Sequence, residues 1–214
     1  MKILVIGANG QIGQHVVQLL DKDENHSAKA MIRKEEQAPA LEQWGAETVI
    51  ADLEGSVEDI AAAAAGCEAI VFTAGSGGHT GADKTLLIDL DGAVKAMEAA
   101  EQAGIKRFIL VSAMYADQRE KWPEEIKPYY VAKHFADRML MNSDLDYTII
   151  RPGGLVNEEA TGGIQIGEDA SRCTIPRADV AAIVVAALNE PTTVGRAFDV
   201  TSGNMPISLA LQRL

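Results

Sequence analysis

The feature that most restricts the fold of this chain is the alternation of short, continuously apolar segments with longer segments of helical character. Ile3 to Ile6 and Phe108 to Val111 are apolar at every position, whereas a strand with one solvent-facing side would alternate apolar and polar residues. Continuously apolar strands are typical of a parallel sheet with helices on both faces. The alternation therefore predicts βαβ units in a three-layer α/β/α sandwich.

Seven segments have the character of strands and six that of helices, enough for a doubly wound parallel sheet. The predicted strands are Lys2 to Ile6, Ala28 to Ile32, Glu47 to Ile50, Ala69 to Thr73, Arg107 to Val111, Tyr147 to Ile150 and Ala197 to Val200. The predicted helices are Gln11 to Leu20, Glu35 to Trp44, Val57 to Ala65, Lys84 to Ala103, Pro128 to Met141 and Arg177 to Leu188.

The chain carries no stretch of proline, glycine and serine that would act as a linker between domains. Residues 1–214 are therefore expected to form one domain, with 151–214 as a small C-terminal extension on the substrate side. Two glycine-rich stretches, Gly75 to Gly81 and Gly162 to Gly167, are expected to be loops at the functional edge of the sheet.

The charge and cysteine content narrow the classes of partner. There are 31 acidic and 19 basic residues, a formal net charge of −12, which argues against nucleic acid or an anionic membrane as a partner. Cys67 and Cys173 lie outside any metal-binding or disulfide spacing, so no metal site is predicted and both are expected to be buried thiols. With no signal peptide or apolar span in view, we expect a cytoplasmic protein.

The first predicted strand runs directly into Gly7-Ala8-Asn9-Gly10-Gln11-Ile12-Gly13, which opens the first helix. In a dinucleotide site the first glycine permits a tight turn, the second lets the backbone approach a pyrophosphate, and the third lets helix and strand pack closely. The helix N-terminus adds free N–H groups for the anion. An ordinary tight turn is the alternative. The predicted cofactor contacts in this segment are Gly7, Asn9, Gly10, Gln11, Ile12 and Gly13.

The end of the second strand indicates which dinucleotide is preferred. An NAD-binding chain usually carries an acidic residue here to hold the ribose 2′-hydroxyl, whereas this chain carries Arg33 and Lys34. A guanidinium can form paired hydrogen bonds with a phosphate, so NADP is predicted, with NAD as the alternative. The competing interpretation is that both are solvated residues whose field is partly cancelled by Glu35 and Glu36.

With these motifs the chain resembles the short-chain dehydrogenase/reductase superfamily, in its extended and atypical branches, over nearly its whole length. The resemblance includes Ala51-Asp52-Leu53, Phe72-Thr73-Ala74-Gly75 and Arg151-Pro152-Gly153, and it implies a Rossmann fold. It also implies that Asp52 and Leu53 flank the adenine, although Asp52 could instead cap a helix. The remaining cofactor contacts implied by the resemblance are Thr73, Ala74 and Gly75 near the ribose and phosphates, and Pro152 and Gly153 near the nicotinamide.

The same family keeps a catalytic pair spaced as in Tyr129-Tyr130-Val131-Ala132-Lys133, where positions i and i+4 share a helix face. The resemblance implies that Lys133 binds the cofactor ribose and lowers the tyrosine pKa, and that Tyr129 protonates a carbonyl oxygen. The family also expects a catalytic hydroxyl after the fifth strand. Its usual place is Ala113, which leaves Ser112 as the candidate substitute, and Asp89 stands where extended members often have Asn.

The resemblance implies an NADP(H)-dependent oxidoreductase that acts on a small carbonyl or alcohol, with Tyr129, Lys133 and Ser112 as the catalytic residues. Three alternatives stay open: an NAD(P)-binding redox sensor with little catalysis, a sugar epimerase or dehydratase, and a relative of flavin or biliverdin reductases. Only 63 residues follow Arg151, which disfavours a large nucleotide-sugar pocket. The substrate is expected to be a small molecule, and a homodimer is left open.

Overall fold

The structure, a computed structural model, describes residues 1–78, 80–167 and 174–214, so the predicted buried thiol at Cys173 lies outside the described residues. The strands are β1 Lys2–Ile6, β2 Ser27–Ile32, β3 Glu47–Ile50, β4 Ala69–Phe72, β5 Arg107–Val111, β6 Asp146–Pro152, β7 Gly154–Val156, β8 Gly163–Ile166, β9 Thr174–Pro176, β10 Arg196–Ser202 and β11 Met205–Pro206. The α-helices are α1 Gln11–Asp21, α2 Ala38–Glu42, α3 Val57–Ala63, α4 Ala82–Lys84, α5 Gly92–Gln102, α6 Lys127–Met141, α7 Arg177–Leu188 and α8 Ile207–Leu211.

The main sheet has nine strands in the order β11-β8-β10-β6-β5-β4-β1-β2-β3. The strands from β3 to β10 in this order pair in parallel, whereas β8 pairs antiparallel with β10 and β11. A separate two-stranded parallel sheet joins β7 and β9. The predicted doubly wound α/β fold with its Rossmann strand order is confirmed, and all seven predicted strands are present.

Helices cover both faces of the sheet, and successive residues of β1 show how. Ile3 and Val5 are buried in the hydrophobic cluster formed with α1 and α7, while Leu4 and Ile6 are buried in the cluster formed with α3, α5 and α6. Each such side chain stabilises the fold by roughly 1.5–3 kcal/mol when fully buried. Within the described ranges no helix has both the length and the apolarity needed to cross a membrane.

The short elements β7, β9, β11 and α8 were not expected from the sequence, and two segments with an assigned structure differ from it. The stretch Gly162 to Gly167, expected to be a loop, contains β8, because the segment turns back to pair with β10. The long helix predicted from Lys84 to Ala103 is interrupted by a π-helical segment, Thr85–Asp91, between α4 and α5. A π-helical turn within a helix is common at functional sites.

The turn between β1 and α1 depends on close backbone contacts that only glycine permits. Gly7 has a φ of +85°, and a Cβ atom there would lie 2.6 Å from the backbone nitrogen of Ala74. A Cβ atom at Gly13 would lie 2.2 Å from the carbonyl oxygen of Gly7. The first and third glycines therefore let the turn, α1 and the end of β4 pack against one another, as the motif predicts.

We expect Gly13→Ala to lower the free energy of unfolding by about 1–3 kcal/mol, because the added methyl group must displace backbone atoms. Equilibrium urea denaturation measures the change. Gly78→Ala is the matched control, since a Cβ atom there meets nothing within 4 Å, and it should stay within about 0.5 kcal/mol of the parent protein. Equal stability of the two variants would contradict the assigned role of Gly13.

Candidate functional site

The sequence-predicted site residues lie along one edge of the main sheet. The strands β3, β2, β1, β4, β5 and β6 are parallel neighbours in this order, so their carboxyl ends meet at a common edge. The order of strands reverses between β1 and β4, which is where α/β sheets of this type form their ligand crevice. Following the same strand order, the residues at or just past these ends are Asp52, Arg33, Gly7, Thr73, Ser112 and Pro152.

The N-terminus of α1 has the features that a pyrophosphate requires. Gly10 is the N-cap residue; it is exposed and carries no side chain, and the first turn of the helix contains no acidic residue. The N–H groups of Gln11, Ile12 and Gly13 precede the first intrahelical bond, which Gln14 donates to Gly10. Asn9 is exposed beside them. An anion can therefore approach these donors directly.

Arg33 and Lys34 lie at the carboxyl end of β2, next to this turn. Both side chains are exposed, and their backbone N–H groups donate to Oε1 of Gln37 at 2.9 and 3.2 Å. These hydrogen bonds fix the backbone, and the two side chains remain exposed at the carboxyl end of β2. The position suits recognition of a phosphate on the adenosine ribose.

The residues after β3 divide into an exposed and a buried position. Asp52 is exposed, and its Oδ1 accepts from the Glu54 N–H at 3.0 Å. It does not cap α3, because that role belongs to Ser56. Leu53 is buried in the core and packs against Gly92. A Cβ atom added at Gly92 would lie 3.1 Å from the Cβ atom of Leu53. Asp52 is thus the member of the pair that a ligand can reach.

The segment after β4 is held against the first glycine turn. The Thr73 N–H and hydroxyl both donate to the Ile6 carbonyl, at 2.9 and 3.1 Å. Ala74 makes the close approach to Gly7 already described, and Gly75 is exposed. The structure therefore brings Thr73 and Ala74 into contact with the end of β1 and the glycine turn, and Gly75 is the exposed residue that follows.

Pro152 and Gly153 are buried where β6 ends. The Pro152 carbonyl accepts from the Met114 N–H at 2.9 Å, and the Gly153 N–H donates to Val200 at 2.9 Å. The hydrogen bond from Met114 to Pro152 shows that the chains after β5 and β6 stay bonded beyond Val111 and Ile150, the last paired residues of the two strands. Pro152 and Gly153 therefore have their backbone fixed by hydrogen bonds at the β6 end of the edge.

The Tyr129–Lys133 pair lies on the buried side of α6, with Lys133 Nζ 5.6 Å from the centre of the Tyr129 ring. Burial raises the pKa of Tyr129, and the nearby ammonium works against that rise. Burial alone would lower the pKa of Lys133, but the interactions with Tyr129 and Asp89 outweigh it and the pKa is raised. Lys133 is therefore a cation at neutral pH and Tyr129 a neutral phenol.

Asp89, in the π-helical segment, is the residue closest to the charge of Lys133. Its Oδ1 lies 3.2 Å from Lys133 Nζ, and both side chains are almost fully buried. Its Oδ2 accepts from the Ser76 N–H at 2.9 Å. Lys133 Nζ also donates to the Val111 carbonyl at 3.4 Å. The sequence singles out Asp89 only as a departure from the family and does not predict this ion pair.

Ser112 follows β5 at this edge, but its side chain is buried and not open to solvent. Ser112 is buried near Asp137, and burial raises the pKa of that carboxyl although the Ser112 hydroxyl works against the rise. Its N–H donates to the Ile150 carbonyl at 2.7 Å. Ala113, the usual place of the catalytic hydroxyl, is buried and apolar.

The sequence does not predict the ionic network that Arg151 forms with Asp137 and Asp117 close to the Tyr129–Lys133 pair. Arg151 donates through Nε to Asp137 at 2.8 Å and through Nη1 to Asp117. Asp137 stands four residues after Lys133, on the same face of α6, and its burial raises its pKa against the effect of Arg151. The only signal in the sequence is the i+4 spacing. The network joins β6, α6 and the loop after β5.

Aromatic side chains cover the outer part of α6. The Trp122 indole N–H donates to the Tyr115 carbonyl at 2.8 Å, and its ring stacks 6.0 Å from that of Tyr130. His134 is buried, with Nδ1 2.8 Å from the Ala116 carbonyl oxygen. Tyr115 adopts a φ of +64°, which is uncommon for a bulky residue. The loop after β5 is therefore packed onto α6.

Comparison with known proteins agrees with this geometry. Residues 7–191 match the model of a family described as NAD(P)H-binding. The chain is 61% identical, over the full length of both proteins, to the protein named "uncharacterized sugar epimerase YhfK" of Bacillus subtilis (strain 168).

Two solved structures share the whole fold. One, provisionally described as an NAD-dependent epimerase/dehydratase of Bacillus halodurans, has 43% identity and a TM-score of 0.94, and the match covers 100% of both chains. The oxidoreductase ylbE of Lactococcus lactis has 38% identity and a TM-score of 0.92, and the match covers 100% of this chain and 96% of that one. Both likenesses extend over the candidate site.

We expect Arg151→Met to lower the free energy of unfolding by about 3–5 kcal/mol, because it leaves the Asp137 carboxylate buried without its partner. Urea denaturation at pH 7 measures the loss. Arg138→Met, on the exposed side of the same helix, is the control and should change stability by less than about 0.5 kcal/mol. A double change of Arg151→Met with Asp137→Leu should recover most of the loss. If Arg151→Met behaves like the control, the network does not stabilise the fold.

Proposed function

Because this chain belongs to the NAD(P)H-binding family, we propose that it is an NADP(H)-dependent oxidoreductase of the atypical short-chain type, interconverting a small carbonyl compound and its alcohol. The observation that carries the proposal is the Tyr129–Lys133 pair, held by Asp89 and Val111 at the sheet edge that also carries the glycine turn. The name of the Lactococcus lactis relative agrees with an oxidoreductase. We place the reaction in the cytoplasm, where cysteines stay reduced.

The residues along the edge fit a dinucleotide. The uncapped N-terminus of α1 and the exposed Gly10 would hold the pyrophosphate, and Arg33 with Lys34 would hold a ribose phosphate. Asp52 would lie beside the adenine. A chain of net charge −12 would thus bind an anion through local donors. The other residues that would hold the cofactor are Gly7, Asn9, Gln11, Ile12, Gly13, Thr73, Ala74, Gly75, Lys133, Pro152 and Gly153, whereas Leu53 is buried in the core.

When bound, the reduced cofactor would supply the hydride that a carbonyl carbon accepts. The chain would supply the proton, from the hydroxyl of Tyr129 to the carbonyl oxygen. Lys133 would stabilise the phenolate left behind, since its ammonium lowers the pKa of Tyr129 against the effect of burial. Ser112 would support the Tyr129–Lys133 pair only indirectly, through the neighbouring Asp137.

We expect Tyr129→Phe to reduce turnover at least a hundredfold while NADPH binding stays within about threefold, because the ring remains and only the proton donor is lost. NADPH oxidation with a panel of aldehydes, ketones and quinones measures turnover, and fluorescence titration measures binding. Tyr130→Phe is the matched control, since that ring stacks on Trp122. The proposal fails if no member of the panel gives oxidation that depends on Tyr129.

For the cofactor, Arg33→Ala should weaken NADPH binding about tenfold and leave NADH binding unchanged, because one charge-assisted contact to the extra phosphate is lost. Isothermal titration calorimetry of both nucleotides measures this. Arg196→Ala, an exposed arginine at the first residue of β10 and hence at the opposite edge of the sheet, should change neither affinity. Equal affinity of the parent protein for NADH and NADPH would overturn the preference for NADP.

A second candidate is a sugar epimerase, which the name of the Bacillus subtilis relative favours. Such an enzyme would convert one sugar epimer into another with no net oxidation of its nucleotide. The panel distinguishes the two, since only the oxidoreductase consumes NADPH in proportion to product.

A further inference from the structure

We propose that Asp89 is a positioning residue that fixes the Lys133 ammonium and, through its second oxygen, the loop after β4, so that one carboxylate aligns the catalytic pair with the cofactor edge. This inference rests on the proposed function and assigns a role to a residue outside the expected catalytic set.

The π-helical segment is what makes the double contact available. Asp89 lies in the middle of Thr85–Asp91 with 1% of its surface exposed. One oxygen faces Lys133 Nζ at 3.2 Å, and the other accepts from the Ser76 N–H at 2.9 Å. The wider turn of a π-helix displaces a side chain from the position it would have in an α-helix. Both oxygens of Asp89 are thereby directed at groups that belong to different parts of the site.

The loop after β4 is tied to the same segment by two further contacts. The hydroxyls of Ser76 and Thr85 lie 3.3 Å apart. Gly75 comes so close that a Cβ atom there would lie 3.1 Å from Asp89 Oδ1. Since Thr73 to Gly75 lie beside the glycine turn, Asp89 connects the predicted nucleotide-binding edge directly to Lys133.

The charge of Asp89 matters as well as its shape. A lone buried ammonium is strongly destabilised by loss of water, and a carboxylate in contact compensates for that loss. Asparagine could offer one hydrogen bond to Lys133 but no compensating charge. The ion pair of Asp89 and Lys133 is electrically neutral as a whole. Lys133 therefore stabilises a neighbouring phenolate less strongly than an unpaired ammonium would.

The pKa of Tyr129 depends on the charged groups around it. They are Lys133 and Asp137 on its own helix and Asp89 on the π-helical segment, while Arg151 from β6 faces Asp137. Burial is the main cause of the raised pKa of Tyr129, and Asp89 raises it further. Removing the negative charge of Asp89 therefore lowers the pKa of Tyr129, and the phenol needed for protonation is lost at lower pH.

The test compares Asp89→Asn with the control Asp91→Asn. Asp91 lies in the same π-helical segment as Asp89, but its carboxylate is exposed and ion-paired with Lys95 of α5. We expect Asp89→Asn to shift the alkaline limb of kcat/KM to lower pH, measured with a carbonyl compound that gives Tyr129-dependent turnover. Asp89→Glu, which keeps the charge, should restore the limb toward that of the parent protein. Asp91→Asn should leave the limb unchanged.

A second readout needs no turnover. Tyrosinate absorbance at 295 nm is titrated in the parent protein, in Asp89→Asn and in each of them combined with Tyr129→Phe, so that the contribution of Tyr129 is obtained by difference. We expect that contribution to titrate at lower pH in Asp89→Asn. Asp89→Ser gives the same comparison if Asp89→Asn does not fold, because it is also neutral.

The outcomes separate this inference from the proposed function. If Tyr129→Phe abolishes turnover but the titration of Tyr129 is the same with Asp89 and with a neutral residue, the role of Asp89 is overturned and the oxidoreductase stands. If Tyr129 titrates as expected but no carbonyl compound is turned over, the electrostatic coupling stands and the oxidoreductase fails.

Discussion

The close packing of the first turn is the constraint on which the rest of the site depends. Because Gly7 and Gly13 lack side chains, the short turn of residues 7–10 can join β1 to α1, and the segment after β4 lies against this turn. Parallel pairing then brings the ends of β5 and β6 to the same edge. A side chain at position 7 would collide with Ala74 and one at position 13 with the Gly7 carbonyl, which would displace the donors at the helix N-terminus from the crevice between β1 and β4.

The second organising element is the pairing of buried charges. Lys133 and Arg151 are buried cations, and each contacts a buried carboxylate, Asp89 and Asp137 respectively. Burying an unpaired ion would cost several kcal/mol, so these pairs permit charge close to Tyr129 without unfolding the region. In the proposed function, this network would support the Tyr129–Lys133 pair, while the exposed Arg33 and Lys34 would contact the nucleotide. The overall charge of −12 therefore says little about the local fields at the site.

Local patterns predicted most of the fold but not the contacts within the site. Apolar runs give β1 and β5 with their exact bounds, because the strands are buried on both faces. The strand β8 was missed because Gly162 to Gly167 resembles a turn, and its pairing with β10 depends on a distant segment. The Asp89–Lys133 contact joins residues 44 positions apart. No periodicity reveals such a contact, since it follows from helix packing and a π-helical turn.

The position of Ser112 decides how the proposed reaction is shared among the residues. In the family pattern a hydroxyl beside the tyrosine polarises the carbonyl oxygen, but here Ala113 is apolar and the Ser112 hydroxyl interacts with Asp137. Loss of one such donor typically raises a barrier by about 2.7–4 kcal/mol. In the proposed reaction, Tyr129 would then both polarise and protonate the oxygen. An already electron-poor carbonyl, such as that of a quinone or an activated aldehyde, needs the least polarisation and would suit this reduced set of donors in the proposed reaction.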